Sequence, residues 1–272
     1  MKKIGIIFLL FAAFLFHSCA SISRYPGVGR IRKYTIESTQ LPPNFDSLRV
    51  AFVSDFHLPS KYKMRHLEHT IRALQVLSPD LLLLGGDYQE GCDYVEPLFA
   101  ALARVSPPYG TFAVLGNNDY ERCITEIRQS MERHDITLLE HRNDTIFRGE
   151  EYIIISGVKN PFDLKRNSLS PTLALHPEDY VILLTHTPDY AEDTDISNTD
   201  LVLAGHTHGG QITLFSRVVP QTGSKYGRRF LTGLKQTGQG IPIIITNGLG
   251  TSRIPVRVGA RSEIVLLTLV RK

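Results

Sequence analysis

Residues 201–211 read Leu-Val-Leu-Ala-Gly-His-Thr-His-Gly-Gly-Gln, an apolar run that stops at a glycine and then sets two histidines two positions apart. A strand that runs into a tight turn would hold both imidazoles at the carboxyl end of a sheet. Alternation along an extended segment would put His206 and His208 on one side. Four other apolar runs end in the same manner. Leu48–Ser54 leads to Asp55 and His57, and Leu81–Gly86 leads to Asp87. Phe112–Gly116 opens Gly116-Asn117-Asn118-Asp119, and Val181–Thr185 leads to His186. In an open α/β sheet the carboxyl ends of the strands form the ligand crevice. Seven side chains, Asp55, His57, Asp87, Asn117, His186, His206 and His208, are therefore expected at one rim.

That mixture suits a pair of divalent ions. Two such ions need a shared carboxylate between them and oxygen and nitrogen donors around each. Imidazole favours zinc, iron or manganese-like ions, whereas the set is too rich in histidine for calcium. Water between the ions would be acidified towards a hydroxide nucleophile, and the ions would offset charge on a phosphoryl group. Each residue alone has another use: Asp55 as a helix cap, Asp87 and the Asn117-Asn118 pair as turn formers, His186 as a core histidine. Five such endings in one chain point to metal.

The remaining pattern supplies a scaffold. Met64–Leu77 carries Met64, Leu67, Ile71 and Leu74 on one helical face. Val95–Val105 and Glu121–His134 read as further helices, with short strands at Ile136–Leu139, Thr145–Arg148 and Tyr152–Ser156. After His208 strands dominate, at Gln211–Phe215, Ile241–Thr246 and Glu263–Val270. Alternating elements followed by strands predict one α/β domain, residues 48–272, with more than one sheet.

Ahead of it, Lys2 and Lys3 precede the apolar run Ile4–Phe16 and then Cys19. This reads as a signal peptide or membrane anchor over residues 1–20, too short for the roughly 20 residues of a spanning helix. Its ending resembles a bacterial lipoprotein signal, which implies lipidation of Cys19 and a membrane-associated body in the cell envelope. An uncleaved inner-membrane anchor with a cytoplasmic body is the alternative, because basic residues flank the run on both sides. Residues 21–47, broken by Pro26, Gly27, Gly29, Pro42 and Pro43, read as a tether with a short strand at Lys33–Glu37.

Residues 1–36 hold six of the 30 basic side chains and none of the 27 acids, which leaves the remainder 24 basic and 27 acidic. A body of about that balance is no long-nucleic-acid binder, and no protein partner is inferred. Cys92 and Cys123 are expected as free thiols, with a disulfide as the other possibility.

The ordered set Asp55-Phe-His57, Gly86-Asp87, Gly116-Asn117-Asn118-Asp119, His186 and Gly205-His206-Thr-His208 resembles the calcineurin-like metallophosphoesterases over residues 48–270. The stretches Gly205–Ile212 and Asn247–Leu269 are similar to its membrane-associated bacterial branch, which includes exported phosphodiesterases and UDP-2,3-diacylglucosamine pyrophosphatases. The resemblance implies a four-layer α/β/β/α sandwich of two mixed sheets. It implies that Asp55, His57 and His208 hold one metal (Mn, Fe or Zn), that Asn117, His186 and His206 hold the other, and that Asp87 bridges. Asp119 would support the turn. The family's usual phosphate-contacting histidine is Asn118 here, which can donate a hydrogen bond but cannot act as an acid. That favours a phosphodiester or pyrophosphate substrate with a good leaving group. Arg228 and Arg229, with Arg217 and Lys225, are candidate substrate contacts. A non-enzymatic metal-binding scaffold and a nucleotide phosphodiesterase are the alternative functions; the full set of ligand types argues against the scaffold.

Overall fold

Along Arg49–Val53 the side chains alternate between two different cores, and that alternation sets up the whole architecture. In this computed structural model, which describes residues 28–162, 169–213 and 219–272, Val50 and Phe52 face a second sheet while Ala51 and Val53 face helices. Leu81–Leu84 repeats the division, with Leu81 and Leu83 on the inner side and Leu82 and Leu84 on the outer. A strand buried on both faces reads as a continuous apolar run, which is why these segments show no polar alternation.

The strands in chain order are β1 (Arg30–Ser38), β2 (Arg49–Val53), β3 (Leu81–Leu84), β4 (Thr111–Ala113), β5 (Ile136–Leu138), β6 (Arg142–Arg148), β7 (Glu151–Gly157), β8 (Val181–Thr185), β9 (Leu201–Ala204), β10 (Gly233–Gln236), β11 (Pro242–Ile245) and β12 (Glu263–Arg271). The first sheet has the order β1-β12-β2-β3-β4-β5, and the second β10-β11-β9-β8-β7-β6. Both are mixed. In the first, β2 to β5 run parallel and β12 lies antiparallel to β2. In the second, β7, β8, β9 and β11 run parallel, with β6 and β10 antiparallel at the edges.

Helices α1 (Met64–Leu77), α2 (Val95–Ala103) and α4 (Ile124–Arg133) cover the outer face of the first sheet. The predicted face of α1 is the one that packs: Leu67, Ile71 and Leu74 are buried. A short α3 (Asn117–Glu121) precedes α4. The outer face of the second sheet has a thinner cover, α5 (Asp189–Asp193) and a 3-10 turn at Gly227–Phe230, which brings Tyr190 and Phe230 onto Val202 and Ile243. This is the four-layer α/β/β/α sandwich. Its inner layer buries the apolar side chains that the two sheets turn towards each other. Replacing Leu83 there by alanine would cost about 2–5 kcal/mol.

Two expectations need correction, and a third lies partly outside the described residues. The segment read as a tether is part of the fold: its expected short strand at Lys33–Glu37 extends to nine-residue β1, which pairs in parallel with β12. Leu41 and Phe45, which follow it, are fully buried. The proline and glycine breaks flank this strand rather than interrupt it, and its pairing with the last strand of the chain has no local signal. Cys92 and Cys123 are not free thiols but a disulfide, with Cα atoms 5.4 Å apart. They sit where α2 and α4 begin, and the packing of those helices brings the two starts together. Of the strand expected at Gln211–Phe215, Ile212 makes single bridges to Val258 and Gly259, and residues 214–218 lie outside the described residues. The leader, Cys19 and Arg217 lie outside them too.

Candidate metal centre

β2, β3 and β4 of the first sheet and β8 and β9 of the second all run out at one rim, and the segments that follow them carry the candidate ligands. Asp55, His57, Asp87, His186 and His208 are buried. They fall into two groups. Asp55, His57 and His208 form one, and Asp87, His186 and His206 the other. His206 and His208 therefore belong to different groups. The turn is not the extended segment expected from the sequence: both histidines take a left-handed backbone, φ 68° and 52°. Asp55, His57 and Asp87 do so as well, with φ of 54°, 44° and 55°. Side chains disfavour that region by about 1–3 kcal/mol each, so the folded sheets hold these residues against their local preference.

The close approaches explain two glycines. A Cβ on Gly116 would stand 2.1 Å from Asp87 Oδ1, and one on Gly205 would stand 2.4 Å from Asp55 Oδ2. The glycine that precedes each ligand turn is the space its partner carboxylate occupies.

Distances between donor atoms fit ions. His57 Nε2 lies 3.1 Å from His208 Nε2 and 3.4 Å from Asp87 Oδ2. His208 Nε2 lies 3.3 Å from Asp55 Oδ1. On the other side His186 Nε2 lies 3.2 Å from His206 Nδ1 and 3.3 Å from Asp87 Oδ2. Ligand atoms each about 2.1 Å from a shared ion stand about 3.0–3.4 Å apart. Asp87 Oδ2 is thus near both groups. Asn117 shares a cleft with Asp87 and His206 of the second group: its Nδ2 donates to Asn118 Oδ1 at 3.0 Å, while its buried Oδ1 has no partner. A buried acceptor left unpaired costs about 1–3 kcal/mol, and a cation would relieve it. The donor set, the spacing and the orphaned oxygen fit two divalent metals.

Supporting residues fix the ligands. His186 Nδ1 lies 2.7 Å from the Gly85 carbonyl, which directs Nε2 to the site. His57 Nδ1 lies 2.6 Å from Glu90 Oε1. Glu90 also accepts from Asn118 Nδ2 at 3.0 Å. Asp119 accepts from the N–H groups of Gly116, Asp87 and Tyr88, so it holds the turn to the end of β3. Glu90 was not singled out in the sequence; the one available signal is an acid three positions after Asp87 on the same loop.

Electrostatics follow from the crowding. Burial works against a charged His186, but the Asp87 carboxylate overrides it and raises the imidazole to about 10. Burial likewise works against an ionised Asp87, and His186 overrides that in turn and lowers it. Burial and then His186 push His206 down to about 3. Burial and then Asp87 raise Asp119 to about 7. A proton on His186 occupies the place a divalent ion would take, so binding of the ion would release it.

Four of the ligands, Asp87, Asn117, His206 and His208, line a cleft of about 590 Å³. Asn118, Glu90, Arg122, Gln211, Arg253 and Ile254 also line it. Arg228 and Arg229 do not. Arg229 is paired with Glu192 at 2.6 Å and stacked over Phe230, and Lys225 pairs with Asp193. Among the described residues, the second half of the chain places Arg253 in the cleft.

Residues 48–210 match the sequence family described as Calcineurin-like phosphoesterase. An uncharacterized metallophosphoesterase of Aquifex aeolicus is 30% identical, covering 89% of this chain and 92% of its own length. Another from Bacillus subtilis, YkuE, is 30% identical over 87% of this chain and 84% of its own. A zebrafish protein named as a transmembrane protein with metallophosphoesterase domain is 27% identical over 85% of this chain and 55% of its own.

Proposed function

The chain belongs to the calcineurin-like phosphoesterase family, a metal-dependent phosphoester hydrolase, and we propose that its substrate is a phosphodiester or pyrophosphate in a lipid or envelope precursor of the UDP-2,3-diacylglucosamine kind. One observation carries the hydrolytic reading: two ligand groups meet at Asp87 on the floor of an open cleft. Asp55, His57 and His208 would hold one ion, Asn117, His186 and His206 the other, with Asp87 shared. When bound, the ions supply Lewis acidity towards water and towards phosphoryl oxygens.

Asn118 supports the choice of substrate. It lines the cleft, and Glu90 and Asp87 hold its side chain and backbone. Its amide can donate a hydrogen bond to a phosphoryl oxygen but has no proton to release near neutral pH. In hydrolysis the oxygen of water joins phosphorus and the bond to the leaving oxygen breaks. Without an acid at position 118 that oxygen must depart as a stable anion, as it does from a phosphoanhydride or an activated diester.

The same reading places the body at a membrane of the bacterial envelope, attached through Cys19. The Cys92–Cys123 disulfide supports an oxidising compartment.

The test uses the full chain with manganese. Hydrolysis of bis-p-nitrophenyl phosphate should exceed that of p-nitrophenyl phosphate. Preference for the monoester overturns the substrate reading, and no turnover with two ions bound overturns the hydrolytic one. Mass spectrometry of the mature N-terminus should find a lipid on Cys19; an unmodified cysteine in a chain starting at Met1 overturns the lipid attachment.

A further inference from the structure

Three of the nine large apolar side chains that the described residues leave exposed, Ile254, Val256 and Val258, fall within five consecutive positions. Single exposed apolar residues are ordinary. A cluster at the mouth of a cleft marks an interaction surface, and Ile254 with its neighbour Arg253 lines this one.

The exposure is built into the lip. Arg257, between the two valines, turns inward and donates to the carbonyls of Gly250 at 2.7 Å, Asn247 at 2.7 Å and His208 at 3.1 Å. With Arg257 so held, its neighbours on either side are turned to solvent. The other end of the lip is fixed by Gln211, whose Nε2 donates to the carbonyls of Ser252 and Ile254 at 3.1 and 2.8 Å. The Val258 N–H donates to the Gln211 carbonyl at 2.9 Å. The apolar lip is therefore fastened to the same turn that carries His208.

The N-terminal segment joins the fold beside Ser262, close to the lip in sequence. Residues 1–27, with the apolar run Ile4–Phe16, lead into Val28. The Val28 carbonyl accepts from Ser262 Oγ at 3.0 Å, and the Arg30 N–H donates to the Ser262 carbonyl at 3.0 Å. Ser262 is four residues past Val258. Exposed Arg253 and Arg261 flank the apolar positions and offer charge to anionic head groups. A single lipid anchor holds a protein to a membrane only marginally, and stable attachment takes a second contact.

We propose that Ile254, Val256 and Val258 enter the surface of a bilayer containing anionic phospholipid and so turn the cleft mouth to the head groups. This inference rests on the membrane reading above. It explains how a phosphoester in a lipid layer reaches Asp87 without leaving that layer.

The chain contains no tryptophan, so Val256→Trp introduces a single indole. The full-length variant is reconstituted in phosphatidylethanolamine–phosphatidylglycerol vesicles, with and without brominated acyl chains. The expected result is a blue-shifted emission, quenched at least twofold by the brominated lipid. Phe147→Trp is the control. Phe147 is exposed and pairs with Tyr152 where β7 begins, at the end of the second sheet away from the ligands; it should not be quenched. Equal quenching at both positions, or none at 256, overturns the proposal. A blue shift without quenching means that protein covers the lip, and overturns it too. Exchange of phosphatidylglycerol for phosphatidylcholine should reduce quenching severalfold, and unchanged quenching overturns the requirement for anionic lipid. Val258→Trp serves if Val256→Trp does not fold. No turnover is needed for this readout, so failure of the lip and failure of the two-metal hydrolysis are separate results.

Discussion

The two sheets contribute unlike ligands to one site. The first provides Asp55, Asp87 and Asn117 with one imidazole, His57, whereas the second provides only imidazoles, His186, His206 and His208. Neither ligand group is complete within one sheet: the first takes His208 from the second sheet, and the second takes Asp87 from the first. The oxygen side supplies the negative charge that two cations require, and the nitrogen side supplies donors without adding more. The ions, when present, would tie the sheets together at the rim, in addition to the apolar layer between them.

The largest effect should come from the shared carboxylate. Asp87→Ala removes an oxygen near both His57 and His186. Metal content by mass spectrometry should fall from two ions, and diester turnover should drop more than about 100-fold, beyond the loss that even an outer partner of a ligand produces. Two ions retained by this variant would break the idea that both groups depend on one residue of the first sheet.

Chelation tests the tie between sheets. Ions present at about 100 times their Kd stabilise by about 2.7 kcal/mol per site. In a domain of this size each site should then raise Tm by about 5–10 °C. A calorimetric Tm that chelator leaves unchanged would mean that the apolar interlayer alone joins the sheets.

Glu90→Ala sharpens the comparison to one side. It removes the partner of His57 Nδ1 and of the Asn118 amide. Binding at the Asp55–His57–His208 group should weaken by about 10–100-fold, with the Asp87–His186–His206 group little changed in a calorimetric titration. Equal weakening at both groups would argue that the two are one coupled unit.

The smallest effect lies at the opposite end of the second sheet. Asp200, just before β9, accepts from the Val181 N–H at 2.8 Å. Burial raises its carboxyl from 3.8 to about 6. Between those values the folded chain keeps a proton that the unfolded chain has lost, so stability falls as pH rises through the window. Asp200→Asn retains an acceptor without the charge. Because the group is partly solvated, the gain above pH 6 should be about 1 kcal/mol, vanishing below pH 4 in urea denaturation. A gain equal at both pH values would show that charge is not the cause. The contrast with the ligand carboxylates is direct: Asp55 and Asp87 have imidazoles to face, and here one has only a backbone N–H.

Much of this arrangement is legible in the sequence because buried parallel strands advertise themselves. Leu81–Leu84 and Leu201–Ala204 form the strands expected, and the polar residue after each run is the residue that reaches the rim. What is illegible is non-local. β1 is fixed by β12, more than 200 residues away, and nothing in the first strand names its partner. Arg228 and Arg229 were singled out as basic residues after a ligand turn, but Glu192 claims Arg229, and Arg253 lines the cleft instead. Both are exposed arginines to a reader of the chain, and only the path of the backbone separates them.

The sequence by itself determined the ligand inventory, its order and the strand ends that carry it, because side-chain chemistry and apolar periodicity are local properties. The resemblance implied how that inventory divides between two ions, and the tertiary structure alone decided the backbone that achieves the division. His206 and His208 are two residues apart, yet a left-handed turn sends one to Asp87 and the other to Asp55. Those backbone angles are unfavourable for each residue in isolation and hold only because two packed sheets close around them.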